Sequence, residues 1–362
     1  MARGEPIAVV GAGIVGCAVA FELARGGAEV TVYDGRRIAG GATQASAGIL
    51  APYTEAHEGG ALFDLTVRGL HVYDTFVERV RGTSRCPFEY RRAGTLEIAE
   101  DAARASELQG RLTETWASAV GLEWLDAGSL RAAAPCVAPT AVGALRCATH
   151  GHVAVPAFTT AIADAARILG ARTELGAPVT RIELSARDVV VHTASDAAVY
   201  SRVVLCSGAW TPSIDPTGRT RDRIRPVRGQ LVRLFSPEAD VRTVLWGRSC
   251  YIVPWEDGTL LVGATSEEVG FDDRPTAEGV RQLLAAAEAL VPCLESAVFL
   301  DVLVGLRPAS TCGLPVLGPS SDPRVLHAAG HFRNGILLAP LTAELLANYV
   351  FRGARDPAFS VT

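Results

Sequence analysis

No run of about 20 apolar residues, the length a membrane helix needs, occurs in this 362-residue sequence. The strongest candidate, residues 335–351, carries Glu344 and Asn348 on a helical repeat and reads as an amphipathic core helix. A secretory leader is not expected, because the strand Ile7-Ala8-Val9-Val10 starts almost at once and no longer apolar region with a cleavage site precedes it. Clusters of one charge sign are missing too. The 34 basic and 39 acidic residues are well mixed and net −5, which excludes a basic nucleic-acid footprint. Eight cysteines (17, 86, 136, 147, 206, 250, 293 and 312) include no CxxC pair. Several lie in apolar runs such as Val204-Leu205-Cys206, so all eight are expected as buried free thiols of a reducing cytoplasm. There is no GxSxG nucleophile elbow. His150 and His152 would share one face of a strand, but no Cys or carboxylate cluster completes a site, and no metal is expected. Internal repeats and low-complexity tracts are also lacking.

What is present is a packed globular composition, 49% hydrophobic and 20% charged. The length suggests two domains of roughly 100–200 residues each. The apolar strand at 7–10 runs into Gly11-Ala12-Gly13-Ile14-Val15-Gly16, followed by a helix over 17–25, Gly26-Gly27, and a second apolar strand over 28–33 closed by Asp34 and Gly35. In this βαβ setting the glycines have distinct tasks: Gly11 for a tight turn, Gly13 for close approach of a pyrophosphate, Gly16 for helix–strand packing. The helix N-terminus offers free N–H groups and positive potential to phosphates. Asp34 is suited to accept hydrogen bonds from an adenosine ribose, and its charge would repel the 2′-phosphate of NADP. Arg36 and Arg37 are expected in solvent or beside the diphosphate. The motif by itself leaves NAD and FAD both open.

Residues 40–50 carry almost only small side chains. Such a segment allows backbone to approach a ligand closely and equally suits a flexible loop. Helices are expected over 61–81, 158–169 and 276–290, and strands over 94–98, 143–147, 199–206, 225–234, 298–306 and 324–329. A hairpin over 250–263 turns at Glu256-Asp257-Gly258. Rossmann-like pieces thus come at the start, near 153–212 and at the end, with antiparallel-looking pieces between them. The expected class is α/β with α+β character: a Rossmann-type domain made of 1–85, 150–215 and 320–362, interleaved with a domain of 86–149 and 216–319 built on an antiparallel sheet.

Five segments, 10–16, 40–52, 250–265, 305–318 and 329–340, stand in the order and spacing of the D-amino-acid oxidase superfamily, and the chain most closely resembles its glycine oxidase branch. Gly305-Leu306-Arg307-Pro308 and the run from Gly330 to Pro340 are the most specific. The resemblance implies FAD as cofactor. It implies that Ala42, Thr43, Ala47, Gly48 and Ile49 line the FAD, that Val179 meets its adenine end, and that His331, Phe332, Arg333, Asn334, Gly335, Ile336 and Leu337 pass beside the isoalloxazine. The positive end of the last helix would then face the charge that reduction places on the flavin. It implies that Arg307 grips a substrate carboxylate bidentately, with the Tyr251 hydroxyl sharing that carboxylate and Arg333 close by. Without the resemblance these three residues read equally as an ion-pair partner, a core tyrosine and a loop tie. The cysteine that binds flavin covalently in monomeric sarcosine oxidases would fall near Gly305, so the FAD is expected to be non-covalent. Ser266 stands where a bacterial glycine oxidase has methionine near the substrate, and is expected to enlarge the pocket. Cys312 and Val304 are the other departures.

The implied reaction is oxidative deamination of a small amino acid such as glycine, sarcosine or a small D-amino acid. Hydride passes to flavin N5, giving an oxo acid, ammonia or an amine, and hydrogen peroxide from molecular oxygen. A dehydrogenase using another acceptor and a flavin-binding subunit of a hetero-oligomeric amine oxidase stay open. The resemblance further implies a homotetramer, with no nucleic-acid or membrane partner.

Overall fold

The structure is a computed structural model describing residues 4–55 and 59–359. Strand β1 (Pro6–Val10) leads into helix α1 (Ile14–Arg25) and strand β2 (Glu29–Asp34). β1 is central in a six-stranded sheet ordered 316–319, 325–329, 202–205, β1, β2, 172–175. It pairs in parallel with both neighbours, Val9 standing opposite Val204 and Val32. A strand covered on both faces has no solvated side, which is why Ile7 to Val10 are all apolar. Only Val316–Pro319 runs antiparallel, at one edge.

α1 begins at Ile14, three residues before the expected start, with Gly13 as its N-cap. The glycine loop is thus shorter and the helix N-terminus lies at the motif itself. Small residues along α1 let it pack closely between the helices Val155–Ile168 and Gly335–Arg352, and Phe21 meets Phe76 edge-on at 5.7 Å. The last helix is buried along most of its length, with Glu344 and Asn348 only partly covered. Among the described residues no helix is long and apolar enough to cross a membrane.

Two expectations need correction. The apolar run 199–206 is two strands. Ala197–Tyr200 closes a three-stranded antiparallel meander over 181–200, and Arg202–Leu205 joins the parallel sheet. The break falls at Ser201, whose N–H bonds the Pro6 carbonyl at 2.9 Å instead of continuing the meander. Nor are all the cysteines buried. Cys293 and Cys312 are exposed and Cys86 and Cys136 partly so, because they sit on turns and helix ends and not in the apolar strands.

The second large sheet has eight strands in the order 298–310, 224–235, 259–263, 251–254, 244–246, 95–99, 143–147, 122–126. All its pairs are antiparallel except 244–246 with 95–99. One face is covered by the helix Ala277–Leu290 over a core that includes Ile98, Val232, Ile252 and Val262. A small sheet of Ile49–Leu50, Gly151–Val153 and Tyr90–Arg91 bridges the two assemblies. The expected mixed α/β architecture is therefore the architecture of the molecule.

Candidate functional site

A cavity of about 640 Å³ lies between the two large sheets, within the range of pockets that hold cofactors. Its wall begins at the C-terminal ends of β1 and β2, where open α/β sheets bind ligands. Gly11 has φ +112°, a conformation open to glycine and strained for other residues, and a Cβ there would strike the Cys206 carbonyl. A Cβ on Gly16 would overlap the Gly11 carbonyl oxygen, so this glycine serves the packing of α1 onto the loop and lies off the wall. The Ile14 N–H donates to Thr43 Oγ1 at 3.1 Å, tying the loop to the turn Ala42–Ala45.

Asp34 lines the cavity with its carboxylate already held. Ala12 N–H donates to Oδ2 at 2.7 Å and Arg36 N–H to Oδ1 at 2.8 Å. A carboxylate has about four acceptor positions, so these two bonds fix its orientation and leave capacity for a ribose. Arg36 is exposed, with its guanidinium 5.1 Å over the Trp210 ring. Arg37 donates to Gln44 Oε1 at 2.9 Å.

The other end is built by the eight-stranded sheet. Arg307 stands on strand Val298–Ser310, partly buried, and donates from Nη1 to the Thr265 carbonyl at 2.9 Å. Its guanidinium lies over Gly229 on the neighbouring strand, where any Cβ would collide with it. Tyr251 stands over Gly263 in the same way, and its hydroxyl and the Arg307 guanidinium influence each other electrostatically. Burial pushes the Tyr251 hydroxyl up to about 12, so it remains a donor. Burial also lowers the Arg307 value, with the Tyr251 and Glu55 side chains opposing that shift, yet a guanidinium keeps its charge. Arg333 is exposed and lines the same cavity. Next to it Phe332 has φ +50°, a costly backbone state at a turn that feeds the last helix. His331, its imidazole pushed down to about 4 by burial, is bonded through Nε2 to Thr342 Oγ1 at 3.0 Å.

Of the residues singled out from the sequence, Gly11, Gly13, Ile14, Val15, Asp34, Gly35, Ala42, Thr43, Ala47, Gly48, Ile49, Val179, Tyr251, Arg307, His331, Phe332, Arg333, Gly335 and Ile336 share this wall. The small-residue segment is ordered. Gly48 has φ +78° and its α-carbon packs against the Val153 carbonyl, closer than a Cβ would permit. Asn334 and Leu337 are buried and off the wall, in the turn and first helical turn whose other residues face it. Ser266 is exposed and off the wall. Thr265 turns inward, accepting from Gln230 N–H at 3.0 Å and donating to Glu267 Oε1 at 2.6 Å, and so directs the next side chain outward. The expectation that Ser266 enlarges the pocket is therefore corrected.

Several wall residues carried no signal recognised in the sequence: Glu55, Trp246, Arg248 and the loop Ser207-Gly208-Ala209-Trp210. The loop could have been found, because it follows an apolar strand that must lie beside β1. Glu55 had none, since nothing local marks it. The two histidines at 150 and 152 do not line the cavity: His150 Nδ1 bonds Thr95 Oγ1 at 2.8 Å, and His152 packs edge-on to Trp255 at 5.1 Å.

A parallel nucleotide-binding sheet that shares one cavity with an antiparallel sheet defines a class of enzymes that carry a dinucleotide-type cofactor. The family profile FAD dependent oxidoreductase matches residues 6–349. Glycine oxidase of Bacillus licheniformis is 31% identical, with 94% of this chain and 92% of that protein covered. The crystal structure of glycine oxidase from Geobacillus kaustophilus superposes with a TM-score of 0.91 at 31% identity, covering 99% of each chain. That of iminodiacetate oxidase from Chelativorans sp. BNC1 gives 0.87 at 28%, covering 97% and 96%. The chain belongs to the FAD dependent oxidoreductase family. Its cofactor is FAD, and the cavity fits one: a glycine cradle with a fixed carboxylate at one end, and at the other a turn with the N-terminus of an 18-residue helix.

Proposed function

We propose that this enzyme oxidises a small amino acid or amine, such as glycine, sarcosine or a small D-amino acid, to an oxo acid with release of ammonia or an amine. The observation that carries this reading is a guanidinium, Arg307, built into the cavity wall over a glycine, with Tyr251 on the same wall. Gly11, Gly13, Asp34 and the turn Ala42–Ala45 would hold the nucleotide half of the cofactor, and Gly48, Ile49 and 331–336 its ring. FAD supplies the two-electron acceptor for the substrate Cα hydride. Arg307 binds the substrate carboxylate with two parallel hydrogen bonds, and Tyr251 donates a third, which fixes the Cα–H direction. Water adds to the resulting imino acid and expels ammonia or the amine. Oxygen takes up the two electrons and two protons and leaves as hydrogen peroxide, so peroxide release in air distinguishes an oxidase from a dehydrogenase.

FAD is held without a covalent bond in this reading. The wall cysteines Cys206 and Cys250 are buried, burial pushes both thiols up (Cys250 to about 12), and neither is a ready nucleophile. The substrate-side unit is taken as 86–149 and 216–319, and the assembly as a homotetramer, which gel filtration tests. The decisive experiment on the site is Arg307→Ala. It raises KM by about a hundredfold, as loss of a desolvated charged contact does, while FAD stays bound. Unchanged oxidation of amino acids would remove Arg307 from the site.

A further inference from the structure

We propose that Glu55 is a specificity-determining residue: it balances one of two guanidiniums at the substrate end of the cavity and thereby favours amines with one acid group over amines with two. The proposal rests on the carboxylate-binding reading above. Glu55 lines the same cavity as Arg307, Arg333 and Tyr251. Its electrostatic neighbours are those two arginines, with Arg333 the stronger influence. All four side chains therefore border one space of a size that a small molecule occupies.

The backbone that presents Glu55 is rigidly placed. Helix α2 (Pro52–Glu55) is a single turn. Thr54 Oγ1 donates to the buried Glu97 at 2.8 Å, and Arg111 bridges Glu97, at 2.7 and 2.8 Å, to the Tyr53 carbonyl. The Tyr53 ring stacks between Trp116 at 5.0 Å and His150 at 5.5 Å. These buried contacts anchor the backbone from which Glu55 projects.

Charge counting gives the consequence. Arg307 and Arg333 remain charged at any working pH. Burial pushes the Glu55 carboxyl up to about 7 against the pull of both arginines, so it is ionised at pH 8. Two positive charges, Glu55 and one substrate carboxylate then sum to zero. A second acid group leaves an uncompensated negative charge beside Glu55, and like charges at close quarters are strongly disfavoured. With Glu55 neutral, the balance moves to the diacid.

The test uses the FAD-loaded protein at pH 8 and two non-oxidisable probes, acetate and malonate, with Kd read from perturbation of the flavin spectrum. Turnover of glycine and of iminodiacetate is measured in parallel. Glu55→Gln, isosteric and uncharged, shifts the Kd ratio toward malonate by about tenfold or more. Glu55→Ser shifts it the same way and keeps the test alive if the glutamine variant loses flavin. Arg333→Gln shifts it the opposite way, which a merely structural role would not produce. A ratio that stays within twofold of the parent's in both Glu55 variants, while the parent binds acetate and oxidises glycine, overturns the assignment of Glu55 alone. A parent that binds neither acid and oxidises neither amine overturns the function proposed above together with it.

Discussion

At the scale of single residues, the site depends on side chains that are missing as much as on those present. Gly229 and Gly263 leave the space that the Arg307 guanidinium and the Tyr251 ring fill. Gly229→Ala therefore displaces the guanidinium, and its KM for a carboxylate substrate rises about thirtyfold or more. Its melting temperature stays near the parent's, since Gly229 has an ordinary strand conformation. A KM unchanged within twofold would show that Arg307 can rearrange. Tyr251→Phe removes one hydrogen bond to a charged group, worth about 1.5–3 kcal/mol, and raises KM by at least about tenfold with full flavin content. Arg307 could be picked out because Gly305-Leu306-Arg307-Pro308 is a specific string. Gly229 could not, since a glycine within an alternating strand reads locally as a weak point. Glu55 was illegible for a different reason: its importance lies in which arginines it faces, and that is settled only by tertiary structure.

Elements carry a second class of consequences. The turn α2 hangs on the Glu97–Arg111 pair, with Glu97 3% and Arg111 8% exposed. Glu97→Ala leaves a buried guanidinium without its counter-charge, a change that costs about 3–5 kcal/mol. Denaturant titration should show that loss, and a midpoint unchanged from the parent's would mean that water reaches Arg111. Flavin retention by this variant would fall together with stability, because Tyr53 and the cavity wall share the turn. Strands were legible where periodicity was strong, as in β1, β2 and the pair 224–235 with 298–310. The meander over 181–200 was not, since its strands are only four residues long. Strands this short show too few alternations for periodicity to mark them.

For the whole molecule, acid stability is dominated by buried imidazoles. His150, His152 and His331 are 0–4% exposed, and burial pushes them down to about 3, 4 and 4. An unfolded chain protonates its histidines near 6.5. Between about pH 6.5 and 4 the unfolded state therefore binds more protons, and stability falls as pH drops, by up to about 1.4 kcal/mol per pH unit for each histidine. Glu55 acts in the opposite direction over about pH 7 to 4.3, because its folded value is the higher one. Glu89, also raised by burial, acts in the same direction as Glu55; three histidines against two carboxyls leave a net decline, so melting temperature should drop from pH 6.5 to 4. A flat profile would mean that these histidines are solvated. The two-sheet plan was visible in the order of motifs. The way loops from both sheets close on one cavity was not, because every contact across it joins distant stretches of chain.

The parallel sheet closes only through strands 202–205 and 325–329, each paired beside residues made far earlier or later. During synthesis β1 and β2 emerge before their partners, so the open flank of β1 waits for residue 205, and the strand after that waits for residue 329. Loop-closure entropy must be met before such distant pairings reward it. The cradle for the nucleotide is thus begun early in the described chain and finished only by strands far downstream, so β1 keeps an unpaired apolar flank until those strands are made.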